Sequence, residues 1–205
     1  MEMHNPDKDR LERFWKSFQQ VYLDLYGSKL PCVASLQGTA PAAGCMLALS
    51  CDYRILVNHP KAKIGLNETQ LGIVAPAWLS QQLVDTIGHR QAELSLGLGT
   101  LYNPSEARAI GLVDEVIGSD DEDVKKSREK VQQRCMEIAL QFSKIPSQAW
   151  LATKLQVRGK AINEMRALQQ HDLDQFVGFV TQDETQASLS AYLKALSQRK
   201  AKEKQ

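Results

Sequence analysis

The chain has 205 residues, room for one ordinary domain or one domain plus an appendage. Apolar residues make up 43% of it, enough for a packed core, and charged residues 24%, close to the globular norm. With 25 Lys and Arg against 24 Asp and Glu the net charge is +1, which argues against a dominant basic surface for nucleic acid and against an acidic disordered chain.

In chain order, Asn5-Pro6-Asp7 predicts a helix start, with Asn5 as the cap and Pro6 at the first helical position. Leu11, Phe14, Trp15, Phe18, Val21, Tyr22 and Leu25 then share one helical face, and Gly27 ends the helix. Residues 30–37 predict a buried strand, 38–43 a turn of small residues, 44–50 a short buried helix and 52–57 a second strand; residues 63–66 predict a third, short one. This is a βαβ-like unit. The run between Lys29 and Asp52 is uncharged, but Pro31, Gly38, Pro41 and Gly44 break it, so no membrane span is expected.

From residue 76 the chain reads as helical: 78–87 stopped by Gly88, then 89–98, then 104–110, with an isolated strand at 112–117. A long helix is expected over 120–142, opened by Asp120, Asp121, Glu122 and Asp123, which suit the positive end of a helix dipole. Pro146 opens another helical stretch, and a last helix over about 183–200 places Leu189, Tyr192, Leu193 and Leu196 on one face. The organisation is a small β-rich front, residues 1–118, and a helical back, residues 119–205. So few strands leave sheet edges open, which points to further strands upstream or from another chain.

Cys32, Cys45, Cys51 and Cys135 form no C-x-x-C pair, and the four histidines show no ligand spacing. The cysteines read as small buried hydrophobes, and no metal is expected. Two segments carry potential chemistry. In Thr39-Ala40-Pro41-Ala42-Ala43-Gly44-Cys45-Met46 small residues open a buried helix, whose first N–H groups lack intrahelical partners. Such a site suits an oxyanion or a polarised carbonyl; close helix–sheet packing is the plainer explanation of the same residues taken alone. In Gly65-Leu66-Asn67-Glu68-Thr69-Gln70-Leu71-Gly72-Ile73 a lone carboxylate sits among apolar residues. Leu66, Leu71 and Ile73 would desolvate Glu68 and raise it toward a useful base; an ordinary surface glutamate is the plainer alternative.

Together these segments resemble the enoyl-CoA hydratase/isomerase (crotonase) superfamily. Residues 41–55 are similar to its central signature and residues 64–73 to the segment carrying its acid/base; residues 86–93 and 107–114 also fit. The Leu-Asn-Glu-Thr-Gln variant is similar to that of the mitochondrial 3,2-enoyl-CoA isomerases within it. The resemblance implies an α/β fold with the ClpP/crotonase spiral ββα core, here N-terminally truncated, followed by a C-terminal helical, trimerising region.

It also implies a site. Hydratases of the family carry two glutamates; here the first position is Met46 and the second is Glu68. One base suffices to move a double bond, so the resemblance implies isomerisation of 3-enoyl-CoA to trans-2-enoyl-CoA in β-oxidation of unsaturated fatty acids, with Glu68 catalytic. The N–H of Ala43 is the implied oxyanion donor, at a position where the family has glycine. The family's second donor lies in a segment upstream of Met1-Glu2-Met3, and its loss would cost about 3 kcal/mol. An impaired module that assembles with full-length subunits is therefore the alternative. Arg10, Leu11, Phe14, Met46 and Trp78 are candidates for the acyl pocket, core packing being the alternative for Arg10, Leu11, Phe14 and Trp78. No cofactor is implied, coenzyme A being part of the acyl-CoA thioester substrate. A homotrimer and a mitochondrial matrix location are implied, with no nucleic-acid partner and no transit peptide in the chain.

Overall fold

The computed structural model describes residues 2–119 and 123–202, with side chains through 198. The first helix, α1 (Lys8–Tyr26), is capped by Asp7, whose carboxylate accepts the Arg10 N–H at 2.8 Å. Asn5 and Pro6 thus lie outside the helix, which begins two residues later than expected: the aspartate reaches the third N–H, whereas Asn5 sits at a φ of 46° and donates its own N–H to Gln186. The buried stripe runs Leu11, Trp15, Gln19, Tyr22, Leu23 and Tyr26. Val21 is exposed, because the helix buries against α7 a face rotated toward Gln19, which donates to Asp172 at 2.7 Å and to the Gln169 carbonyl at 3.0 Å.

β1 (Val33–Leu36), β3 (Tyr53–Val57) and β5 (Glu115–Ile117) form a parallel sheet in the order β1-β3-β5. The expected isolated strand is therefore the third member of this sheet, paired through Leu56 and Val116. Ile55, Leu56 and Val57 of the central strand are fully buried, as befits a parallel strand covered on both faces. A second ladder, two residues long, pairs β2 (Ala40–Pro41) with β4 (Ile64–Gly65). The helix α2 (Ala43–Ser50), apolar but for its last residue, connects β2 to β3 and buries Cys45, Met46, Ala48, Leu49 and Ser50.

α3 (Ala77–Ile87), α4 (His89–Leu98) and α5 (Pro104–Ala109) follow; Asn103 and Glu106 close a reciprocal capping box on α5 with Pro104 in its first turn. α6 (Val124–Phe142) is capped by Asp123; Asp120, Asp121 and Glu122 lie outside the described residues. α6 lies on β1 and β3, α7 (Ser147–Val180) runs along α1, and α8 (Asp183–Lys202) returns to the turn after β4. The expected boundary at residue 118 falls between β5 and α6, and the main core crosses it: Val131, Ile138, Ile162 and Met165 share a cluster with Ile55 and Leu79.

One ion cluster ties the helical part to the sheet. The Asp52 carboxylate accepts the Cys32 N–H at 2.8 Å and pairs with Lys154 at 2.9 Å and Arg158 at 3.2 Å. The side chains of Asp52 and Lys154 are 8% and 4% exposed, so removing one partner strands a charge in the interior. Asp52→Ala is expected to destabilise the protein by about 3–5 kcal/mol in urea unfolding. A loss below about 1 kcal/mol would show that α7 is held by its apolar contacts instead.

Candidate active site

The site is assembled on the β2–β4 ladder. Ala40 donates to the Lys63 carbonyl at 2.7 Å, and Ala42 donates to that of Gly65 at 2.9 Å. On its other side Ile64 exchanges two hydrogen bonds with Tyr102, at 3.0 and 2.9 Å. The approach is so close at Gly65 that a Cβ would stand 2.2 Å from the Thr100 carbonyl oxygen. The start of α2 and the residues leading to Glu68 are thus fixed to each other through backbone alone.

After β4 the chain makes one 3₁₀ turn, Glu68–Leu71, ended by Gly72 at a φ of 75°. Gly72 donates to the Thr69 carbonyl and Ile73 to that of Glu68, both at 3.1 Å. Side chains fasten the turn to α4: Thr69 donates to the Leu96 carbonyl at 2.9 Å and Gln70 to that of Leu98 at 3.1 Å. From the far side α8 closes on it; a Cβ on Gly72 would lie 2.3 Å from Ser188, and Leu189 packs on Leu71 and Ile73.

Glu68 is 8% exposed, and its Oε2 has no hydrogen-bond partner. Burial pushes the carboxyl from an ordinary 4.5 up to about 7, partly opposed by a hydrogen bond to its own backbone. It lines a cavity of about 240 Å³ with Leu66, Val74, Ala75, Ser80 and Leu96. Among the described residues Glu68 is the only titratable one in that lining. Val74, Ala75 and Ser80 also border a larger cavity, about 730 Å³, that runs to Trp15, Phe176 and Phe179. Of the apolar neighbours expected to desolvate Glu68, Leu66 lines its cavity, while Leu71 and Ile73 pack toward α8. Asn67 beside it is buried too, with an unpartnered Oδ1.

Ala43 is the first residue of α2 and is exposed, and no side chain caps that helix. The strained residue is its neighbour: Ala42 has φ 49° and ψ −115°, a conformation usually left to glycine. Ala43 itself is helical, a conformation that suits alanine. Cys45, in the first turn of α2, is kept protonated by burial and secondarily by the charge of Glu68.

The other sequence candidates are spread more widely. Met46 is 1% exposed in the main core, where its sulfur meets the Ser50 hydroxyl. Leu11 is fully buried with Trp15, Leu173 and Val177 in the α1–α7 seam. Phe14 is half-buried beside Phe18, and Arg10 is on the surface, paired with Glu2. Trp78 packs on Tyr22 and Phe18. None of these five, nor Ala43, borders the Glu68 cavity. Its actual walls, Val74, Ala75, Ser80 and Leu96, carry no motif of their own. The one available signal was the small-residue step Ala75-Pro76-Ala77 after Gly72, which leaves open space next to the turn. Among the described residues no group of three or more His, Cys, Asp or Glu is placed to hold a metal ion, and no helix is long and apolar enough to cross a membrane.

The family model for enoyl-CoA hydratase/isomerase matches residues 1–202. Rat mitochondrial enoyl-CoA delta isomerase 1 is 39% identical over 200 residues, 98% of this chain and 66% of the rat protein. The human protein of the same name is 42% identical over 187 residues, 91% of this chain and 59% of the human one. The chain therefore spans about two thirds of the length of these curated relatives. The crystal structure of human mitochondrial delta3-delta2-enoyl-CoA isomerase superposes with a TM-score of 0.90 and 40% identity, over 97% of this chain and 74% of that one.

The raised Glu68 carboxyl has a consequence for stability. Its folded value lies above the ordinary 4.5, so the folded protein binds the proton more tightly, and stability present at low pH is lost as pH rises through about 7. Glu68→Gln carries no such burden. It is expected to match the wild type in urea unfolding near pH 4.5 and to exceed it by about 3 kcal/mol at pH 8. Equal stabilities at pH 8 would show that the carboxylate is solvated.

Proposed function

The chain belongs to the enoyl-CoA hydratase/isomerase family, and on that premise we propose that it shifts the double bond of a 3-enoyl-CoA to give the trans-2-enoyl-CoA. The observation that carries this reading is a single desolvated carboxylate in an otherwise non-titratable cavity. Hydration needs one group to activate water and another to handle the second proton. Isomerisation needs one base that takes a proton from one carbon and returns it two carbons away. The names of the rat and human relatives support the same choice.

The ionised Glu68 removes a proton from the α carbon; the electron pair delocalises onto the thioester oxygen and, through the β–γ double bond, onto the γ carbon. Glu68 then delivers the proton to the γ carbon, and the double bond emerges between the α and β carbons. No atom is gained or lost. The Ala43 N–H, at the uncapped start of α2, faces the developing oxyanion in this reading. Leu66 and Leu96 keep water from the dienolate, and the 730 Å³ cavity beyond Ser80 receives the acyl chain. Catalysis by this base rests on a carboxyl near 7, which is strong enough to take the proton and weak enough to give it back. The wider setting of this reading is a homotrimer serving β-oxidation of unsaturated fatty acids in the mitochondrial matrix. The mitochondrial part is supported by the relatives' names, the trimer by family resemblance.

A second reading has its own observation. Leu47 is 42% exposed on a groove of about 590 Å³ that it forms with Leu25, Leu36 and Pro41 beside β1, an edge strand of the sheet. An apolar groove at an open edge favours a module that assembles with other subunits. Activity separates the two readings. The purified, folded chain is expected to convert 3-enoyl-CoA, with kcat/KM rising tenfold per pH unit to a plateau above about 7. Glu68→Gln is expected to lose about 10²–10⁴-fold. No turnover from the folded chain would favour the assembly module.

A further inference from the structure

The cavity of about 730 Å³ joins the Glu68 cavity at Val74, Ala75 and Ser80 and reaches Trp15 and Phe176, whose rings stack at 3.4 Å and 6° from parallel. That wall is firmly held. The Trp15 indole donates to Asp172 at 2.8 Å, and both rings pack with Leu11, Leu173 and Val177. Phe179, also in the lining, packs instead on Leu71 and Ile73, toward the Glu68 turn. The two aspartates of the lining are engaged: Asp172 also accepts from Gln19, and Asp174 accepts from Gln170 at 2.8 Å. A further cavity of about 410 Å³, beneath Tyr22 between α1, α3 and α7, shares Ala77, Asp172 and Gln175 with this one.

Among the described residues bordering the larger cavity, Gly178 is the one without a side chain. It stands in the last turn of α7. Glycine weakens a helix relative to alanine, and it is usually kept where a left-handed φ or a close neighbour requires it. Gly72 meets both conditions, with a φ of 75° and a Cβ that would lie 2.3 Å from Ser188. Gly178 meets neither: its backbone is helical, and a Cβ built on it would find no atom within 4 Å. What the missing side chain leaves is room on the cavity wall. Along the axis of α7 that room lies between Phe179, toward the Glu68 turn, and Phe176, against Trp15. A side chain at 178 would narrow the passage from one end to the other.

We propose that Gly178 determines the acyl length this protein accepts, its bare backbone keeping the 730 Å³ cavity open to chains that extend past Ser80. The proposal rests on the placement of the acyl chain in that cavity, and not on the proton transfer at Glu68. A four-carbon acyl group is used up beside Glu68, where its α, β and γ carbons lie. A twelve-carbon group continues along α7, and a side chain at 178 obstructs it alone.

Calorimetric titration with butanoyl-CoA and dodecanoyl-CoA reads acyl binding without turnover. Each buried methylene tightens binding about fourfold, so the wild type is expected to prefer dodecanoyl-CoA by at least roughly tenfold. Gly178→Leu is expected to lose roughly tenfold or more for dodecanoyl-CoA. Its affinity for butanoyl-CoA is expected to stay within about twofold. Gly178→Ala is expected to bind dodecanoyl-CoA with intermediate affinity yet to unfold at higher urea, the helix gaining what the pocket loses. Gly159→Leu, in the same helix but outside this lining and with equally open space around its Cβ, is expected to change neither affinity. Unchanged dodecanoyl-CoA affinity in Gly178→Leu overturns the proposal, and so do equal losses for both compounds, which would assign the change to the fold. A wild type that binds dodecanoyl-CoA no better than butanoyl-CoA, or not at all, overturns it together with the acyl placement. Turnover of a 3-enoyl-CoA decides the Glu68 reading separately: the length effect in binding without any turnover would sink that reading and leave the role of Gly178 standing.

Discussion

A parallel ladder only two residues long governs the geometry of this molecule. Ala40 and Pro41 pair with Ile64 and Gly65, and from that ladder the chain departs in two directions: into α2 on one side and into the turn bearing Glu68 on the other. Backbone hydrogen bonds have little freedom of length, so this arrangement fixes the helix start relative to the carboxylate more tightly than side-chain packing would. Two features follow from it. Gly65 leaves no space for a Cβ against Thr100, and Ala42 accepts a positive φ so that its N–H reaches Gly65 while the next residue begins a helix. A strained alanine persists only where its surroundings over-determine it, and here the ladder before it and the buried helix after it do so.

The second constraint is dielectric. A carboxylate in an apolar cavity costs stability unless it is paired, and Oε2 of Glu68 is not. The fold spends several contacts on keeping it there: Thr69 and Gln70 bind α4, and Ser188 and Leu189 of α8 cover the outer side of the turn. None of these groups hydrogen-bonds the carboxylate itself. They hold the backbone and leave the acid group unsatisfied, which is what keeps its proton affinity high. Elsewhere the same chain treats a buried carboxylate oppositely. Asp52 receives Lys154, Arg158 and a backbone N–H, and it joins sheet to helix. One acid is a fastener because it is satisfied; the other keeps a raised proton affinity because one of its oxygens is not.

Much of this was legible in residue patterns and some of it could not be. The helices from 77 to 98 and the strand at 53–57 announce themselves through local periodicity and glycine stops, and the Glu68 segment through a charge among apolar residues. The first cap was misplaced by proximity: Asn5 and Asp7 are both good caps, and the sequence does not say which aligns with the helix axis. The pairing of β5 with β3 and the Asp52–Lys154 contact join residues about 60 and 102 positions apart, and neither has a local signature. The walls of the Glu68 cavity escaped notice for a related reason. A cavity is made by what neighbouring side chains fail to fill, and Ala75 and Ser80 become informative only once α3 and α4 are in place. Leu71 and Ile73 illustrate the limit: adjacency to Glu68 suggested that they desolvate it, but the 3₁₀ turn points them at α8.

α3 shows how one short helix serves two chambers. Ala77 and Ser80 border the cavity that continues from Glu68, whereas Trp78 and Gln82, on the adjacent face, border the one beneath Tyr22. The helix cannot turn to favour either side, because Gln82 is tied to the Leu49 carbonyl of α2 and Leu79 and Leu83 are locked in the main core. α7 supplies the opposite wall of both chambers, with Phe176 and Phe179 facing one and Met165 and Leu168 facing the other. It is held to α1 by Asp172, which receives both Trp15 and Gln19. The spacing between α3 and α7 is therefore set by polar contacts at a few points and by large aromatic rings between them. Helices kept apart in this way cannot collapse onto each other, and the space left between them is a consequence of the same residues that hold the fold together.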